Sequence, residues 1–195
     1  MEARQLTDLT IAEYLALEQE MDTRYEYHAG RVFAMAGGTL EHGLITGNAF
    51  GEIRSLLRAE GSDCKPINND VKLHIESANK FLYPDVMVVC GDIERSDREA
   101  SAVINPVLII EVLSRSTESY DRGDKFFAYR QIDTLQEYVL VDQYQALVDV
   151  YQRQGQLWKI TRTEGLSTSI TLRSIGITLP LASLYEDVVF VTPTS

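Results

Sequence analysis

Apolar residues recur along this chain with two periods, and the changes of period mark its elements. Thr10 and Glu13 have the spacing of a capping box. A first helix is therefore expected from Ile11 to about Met21, with Tyr14, Leu15 and Leu17 as its packing residues. The following RYEYHAGRVFAMAG reads as two short strands around a turn at His28-Ala29-Gly30, broken off by Gly37-Gly38. A second helix is expected from near Leu40 to Gly61, with Thr39 as its N-cap. On it His42, Ile45, Ala49, Ile53 and Leu56 return at helical spacing and predict a core-facing stripe. Arg54 and Arg58, four apart, share another face.

From there the period shortens to that of strands. NNDVKLHI alternates, FLYPDVMVV is almost wholly apolar, and PVLIIEVLS is a second apolar run. Long runs of this kind belong to a sheet covered on both faces. A helix is expected from about Tyr120 to Ile132, then a strand in EYVLVD and a hairpin in ALVDVYQRQGQLWKITR turning near Gln154-Gly155. TLPLASLYEDV closes with a short helix or turn. Helices flanking a mixed central sheet make an α/β or α+β domain. With no internal repeat, low-complexity tract or Pro/Gly-rich linker, residues 1–195 read as one domain.

Composition narrows the class. The chain carries 18 basic and 29 acidic residues, a net charge of −11. Such a chain is no general nucleic-acid coat, because phosphate backbones repel an acidic surface, although a local basic groove is compatible with it. Convergent carboxylates would instead favour a metal ion. No apolar run approaches the roughly 18 residues that a membrane helix needs, and MEARQLTDLT has no apolar leader core. A cytoplasmic protein with no membrane partner is expected. Cys64 and Cys90 lie far apart and make no metal spacing; two reduced thiols suit a cytosolic chain better than a disulfide, which stays open in principle.

The candidate chemistry lies in the apolar runs. Asp85 interrupts YPDVMVV and Glu111 interrupts LIIEVL. A bare carboxylate buried there costs several kcal/mol unless it pairs, protonates or binds a metal. Pro84 cannot donate to a ladder, so it marks an edge or a bulge, a device often found beside active sites. One such acid reads as an outward-facing residue or an arginine partner. Two in consecutive strands tip the reading towards a site for a hard cation such as Mg²⁺, whose remaining positions water and phosphate oxygens fill. Asp121, Lys125 and Tyr129 are spaced four apart on one helical face. Spacing alone makes Asp121 and Lys125 an ordinary solvent-facing ion pair.

The order Glu26 in RYEYHAGRV, Asp85 in YPDVMVV, Glu111 in LIIEVLSRST and the block DRGDKFFAYRQIDTLQEYVLVD resembles the Uma-two family, a restriction-endonuclease-like branch of the PD-(D/E)XK nuclease superfamily. The resemblance runs from about Leu6 to Val188. It implies a restriction-endonuclease-like core and a Mg²⁺-dependent endonuclease acting on DNA, with Mn²⁺ as an alternative cofactor. Asp85 would be the aspartate of the PD pair and Glu111 the following acid. Leu113 stands two residues after Glu111, where many members carry lysine; the Uma-two pattern moves that lysine to the next helix, where Lys125 stands.

The resemblance also implies roles. Asp85, Glu111 and the backbone carbonyl of Val112 would hold the metal. Lys125 would orient or deprotonate the attacking water and offset charge in the transition state. Glu26 would hold a second metal or order the first one's waters; a solvated hairpin residue is an equal alternative. His42, on the apolar stripe, is expected as a core or supporting histidine. Tyr129 is expected to pack, with a hydrogen bond to Lys125 or an acid as the lesser expectation, and Asp121 to stand beside the lysine. Arg115 and Arg122 would touch nucleic-acid phosphates at the rim, or be plain surface arginines. A homodimer is expected because cutting both strands of a duplex wants two sites. Two competing functions use the same residues: a catalytically inactive descendant of the fold that binds nucleic acid or protein, and a metal hydrolase of small phosphoesters.

Overall fold

The structure, a computed structural model, describes residues 7–21, 23–35 and 37–190. Residues 1–6, including Leu6, where the resemblance begins, lie outside the described residues. In chain order the elements are α1 (Ile11–Met21), β1 (Tyr25–His28), β2 (Arg31–Ala34), α2 (Leu40–Ala59), β3 (Lys65–Asn68), β4 (Leu73–Ile75), β5 (Lys80–Leu82), β6 (Val86–Val89) and β7 (Leu108–Leu113). Then come α3 (Glu118–Tyr120), a π-helical turn (Asp121–Lys125), α4 (Phe126–Tyr129), β8 (Glu137–Asp142), β9 (Leu147–Gln154), β10 (Leu157–Glu164), β11 (Ser169–Leu172), β12 (Ile177–Pro180) and α5 (Leu181–Leu184).

Local chemistry sets several boundaries. The Thr10 N–H donates to Glu13 Oε2 (2.8 Å) and the Glu13 N–H to Thr10 Oγ1 (3.3 Å), a closed capping box at the start of α1. Ala29 (φ 47°) and Gly30 (φ 97°) both take left-handed backbone, which turns β1 tightly into β2. Thr39 Oγ1 accepts the His42 N–H (3.1 Å) at the head of α2. The buried stripe of α2 is Ile45, Ala49, Ile53 and Leu57. It follows a strict four-residue step, so Leu57 takes the core position expected of Leu56, which is only partly buried.

Six strands form the central sheet in the order β10-β9-β8-β7-β6-β3, with β7 and β8 parallel and the remaining pairs antiparallel. The mixed sheet and its flanking helices are the architecture expected. A two-residue period sorts β6 and β7 onto two faces. Val86, Val88, Leu108, Ile110 and Val112 pack with the α2 stripe, β11, β12 and α5. Met87, Val89, Ile109 and Leu113 pack with β4, β5 and α4. Both faces are thus buried. A smaller sheet, β2-β1-β5-β4, packs under α1 through Tyr14, Tyr27, Val32 and Phe81.

The structure departs from the sequence reading in four places. FLYPDVMVV is two strands, because Pro84 ends the first and the chain crosses from the small sheet to the central one. NNDVKLHI keeps strand form only at its ends, with a turn at Asn69-Asp70. The helix expected from Tyr120 to Ile132 occupies 118–129 and contains the π turn. Cys64 and Cys90 form a disulfide, against the expectation of two reduced thiols. They adjoin Lys65 and Val89, an antiparallel register pair, so strand pairing closes the 26-residue separation. Among the described residues no helix is long and apolar enough to cross a membrane.

Candidate active site

The alternation of β7 assigns Glu111 to the face of Ile109 and Leu113, under the helical run 118–129. Asp85 directly precedes β6, whose Val86 pairs with Ile110 on β7, so the two acids come from neighbouring strand positions, one at the head of β6 and one within β7. They are joined through backbone. The Val112 N–H donates to Asp85 Oδ2 (2.8 Å), and the Asp85 N–H reaches Glu111 Oε2 at 3.4 Å.

The π turn brings the lysine. Insertion of one residue into a helical turn shifts the faces that follow it, and such turns recur at functional sites. Here Asp121 and Lys125 both point inward, with 3 % and 7 % of their surface exposed; Glu111 and Asp85 expose 3 % and 9 %. The Lys125 Nζ lies 2.8 Å from Glu111 Oε1, 3.5 Å from Asp121 Oδ1 and 3.6 Å from Glu26 Oε1. The Asp121–Lys125 pair is therefore buried, not solvent-facing as spacing alone suggested. Tyr129, one turn on, donates its hydroxyl to Glu111 Oε1 (2.6 Å), so it both packs and holds an acid.

Glu26 arrives from the small sheet, on β1. Its Oε1 accepts from the Tyr83 N–H (3.5 Å), and its Oε2 lies 3.4 Å from His28 Nε2, which is 3.0 Å from the Tyr120 hydroxyl. His42 Nε2 stands 3.2 Å from Asp85 Oδ2, so this histidine supports the site from the head of α2 and leaves the core stripe to Ile45.

Glu26, Asp85, Glu111, Val112, Asp121, Lys125 and Arg115 line one cavity of about 480 Å³. Arg122 does not. Its guanidinium is taken by Glu118 (2.8 Å) and the buried Asp149 (2.8 Å), which Arg162 also clamps, so the rim contact expected of Arg122 is replaced by a structural ion pair. Tyr120, Tyr83 and His28 were not singled out from sequence. Tyr120 directly precedes the DRGDK block, the one available signal.

Electrostatics follow from burial and crowding. Burial raises the Glu111 pKa; Lys125 opposes this, but Asp85 and Asp121 add to it, leaving it at about 8. Asp121 is also raised, by burial first, against the pull of Lys125. Burial alone would lower Lys125, yet Glu111, Tyr129, Glu26 and Asp121 hold it well above its ordinary value, as an ammonium. Glu26 would rise on burial, but Lys125, His28 and the Tyr83 amide bring it down. Burial lowers His42, and Asp85 outweighs that to leave it raised.

Four carboxylates and two cations, Lys125 and Arg115, line the cavity. This negative, all-oxygen donor set suits a hard divalent cation. Among the described residues no group of three or more acidic, histidine or cysteine side chains is placed to hold a metal ion. The arrangement fits an open site of the kind Mg²⁺ uses, with one or two carboxylates and several waters.

Comparison with known proteins agrees with this fold. The Uma2 family model, described as "Putative restriction endonuclease", matches residues 11–182. Two uncharacterized proteins of Synechocystis sp. are similar to this chain. One, slr1290, is 34 % identical over 184 residues, covering 93 % of this chain and 94 % of its own. The other, sll1609, is 36 % identical over 165 residues, covering 83 % and 91 %. A crystal structure from Anabaena variabilis, titled as a putative nuclease of the DUF820 group, superposes with a TM-score of 0.72 at 18 % identity, over 91 % of this chain and 97 % of that one.

Proposed function

We propose that this chain, which belongs to the Uma2 family, is a divalent-metal-dependent nuclease that hydrolyses DNA phosphodiester bonds in the cavity between β6, β7 and the π turn. One observation carries this reading: a buried lysine bonded to Glu111 on β7, beside Asp85 at the head of the neighbouring β6, in a cavity with more acids than cations. The lysine that many related nucleases place two residues after the second acid is replaced here by Leu113, a buried core residue. Lys125 brings its amine to the same carboxylate from the helix instead.

Asp85 and Glu111 would hold Mg²⁺ or Mn²⁺, with the Val112 amide and His42 fixing the Asp85 carboxylate. A cation held there would supply Lewis-acid polarisation of the phosphate and an activated water. Lys125, ringed by acids, acts as a cation rather than a base. It orients water and offsets the charge that develops on the phosphate oxygens. Glu26 and Asp121 balance the ammonium, and Tyr129 fixes the Glu111 oxygen that Lys125 contacts.

The test is cleavage of a labelled DNA with Mg²⁺ or Mn²⁺. Asp85→Ala and Lys125→Ala should each lower the rate by about 10²- to 10³-fold, the usual cost of removing one preorganised charge, with circular dichroism confirming the fold. Equal cutting by wild type and Lys125→Ala would remove the lysine from the mechanism. A wild type that neither cuts nor gains thermal stability with metal would favour an inactive interaction module.

A further inference from the structure

Resting on the nuclease reading of this cavity, we infer that the site takes an unpaired polynucleotide strand and not a duplex.

The first argument is depth. Glu111, Asp121, Lys125 and Asp85 are each at least nine-tenths buried, at the bottom of a cavity of about 480 Å³. That volume is in the range of pockets that enclose one small ligand, the scale of a single nucleotide. In a duplex, pairing and stacking hold each phosphate on a stiff rod. A phosphate reaches a buried centre only if its nucleotide leaves the stack, at a cost in unpairing and unstacking. An unpaired strand avoids that cost.

The second argument is charge. A duplex is gripped through its phosphates by lysines and arginines, and it carries about twice the charge per length of a single strand, so a cation-poor site disfavours it more. The cavity offers Arg115 and Lys125 against four carboxylates, Lys125 is already held by acids, and Arg122 is engaged with Glu118 and Asp149. The whole chain has a net charge of −11.

The third argument is the aromatic part of the lining. Phe33, Tyr120 and Tyr144 line the cavity with Arg115. The Arg115 guanidinium lies over the Tyr144 ring, 5.4 Å from its centroid. Tyr120 stacks on His28 (5.5 Å, 18° between planes), and His28 meets Phe33 at 4.7 Å. Tyr144 is partly exposed in the β8–β9 turn. Aromatic rings, with arginine adding cation–π contacts, are the platforms on which unpaired bases stack. They read no base edge, so the inference names a strand type and no sequence. A single strand also needs one cut, so the homodimer expected from duplex cleavage is not required.

Binding tests this without turnover. Fluorescence anisotropy in calcium buffer would use labelled oligo(dT) and oligo(rU) of about 12 nucleotides, a length in the range such platforms cover, and a blunt hairpin duplex. At least one single strand should bind tenfold or more tighter than the duplex; which one binds better assigns DNA or RNA. Tyr144→Ala should weaken strand binding by roughly tenfold, as loss of one stacking ring does, while Tyr144→Phe keeps it. Duplex binding equal to or tighter than both strands overturns the inference. So does no binding of any probe, or an alanine variant that binds like wild type. Strand binding without cleavage in any metal would refute the nuclease reading and leave this inference standing. Duplex cleavage with tighter duplex binding would do the reverse.

Discussion

Glu111 is the residue on which the site turns. One of its oxygens receives both the Tyr129 hydroxyl (2.6 Å) and the Lys125 ammonium (2.8 Å). Burial, with Asp85 and Asp121 nearby, still lifts its pKa from an ordinary 4.5 to about 8. Between those values the folded carboxyl keeps a proton that the unfolded chain has released. The native state then binds more protons, so this group's contribution to stability falls as pH rises through the window. The metal-free protein should therefore lose melting temperature from about pH 5 to pH 8, less so in Glu111→Gln. Identical pH slopes in the two proteins would contradict this. Tyr129→Phe removes a buried hydrogen bond to the Glu111 carboxyl and should cost about 1 kcal/mol in urea unfolding. A loss below about 0.5 kcal/mol would show that the hydroxyl contributes little to holding the carboxylate.

At the scale of elements, two devices bring side chains together. The π turn at Asp121–Lys125 keeps Asp121, Lys125 and Tyr129 inward while Arg122 swings to Asp149 on β9. The second is the head of α2. Thr39 Oγ1 caps the helix by accepting the His42 N–H and donates to Gln143 Oε1 (2.6 Å), and Gln143 Nε2 donates to the Leu113 carbonyl (2.9 Å). This chain of bonds ties α2, with His42 on Asp85, to the end of β7 that carries Glu111. Thr39→Ala should cost about 1–2 kcal/mol through the cap, which for a chain of this size is a fall of a few degrees in melting temperature. Thr39→Ser should recover most of it. An unchanged melting temperature in the alanine variant would show that α2 does not depend on this cap.

For the whole molecule, four acids around one cavity repel one another, and a bound cation would relieve that repulsion. Ligand binding to the native state alone stabilises by RT ln(1 + [L]/Kd), about 2.7 kcal/mol at a hundredfold excess over Kd. Millimolar Mg²⁺ or Mn²⁺ should raise the melting temperature of the wild type and leave Asp85→Ala nearly unmoved. Equal shifts in both proteins would place the ion elsewhere. The two sheets each contribute: the central one carries Glu111 on β7, with Asp85 directly before the neighbouring β6, and the small one carries Glu26 on β1. Pro84, where the chain passes from one to the other, is adjacent to Asp85 in sequence, so the crossing itself delivers the acid to the cavity.

Much of this was legible in the sequence because it depends on neighbours along the chain. The capping box at Thr10, the Thr39 cap, the turn at Ala29-Gly30 and the apolar run of β7 are local, and each formed where its residues predicted. Asp85 and Glu111 stood out for the same reason: a charge inside an apolar run is visible without a fold. Other features needed partners distant in sequence. Strand pairing made neighbours of Cys64 and Cys90, and the fate of Arg122 waited on Asp149, 27 residues away on another strand. Spacing alone put Lys125 on solvent, since a single helix does not say which of its faces is covered. Only the packing of 118–129 over β7, and of the small sheet beside it, buried that amine among Glu26, Glu111 and Asp121. Periodicity selects an element and its apolar face; where three elements meet, the meeting of their polar residues is decided by tertiary packing.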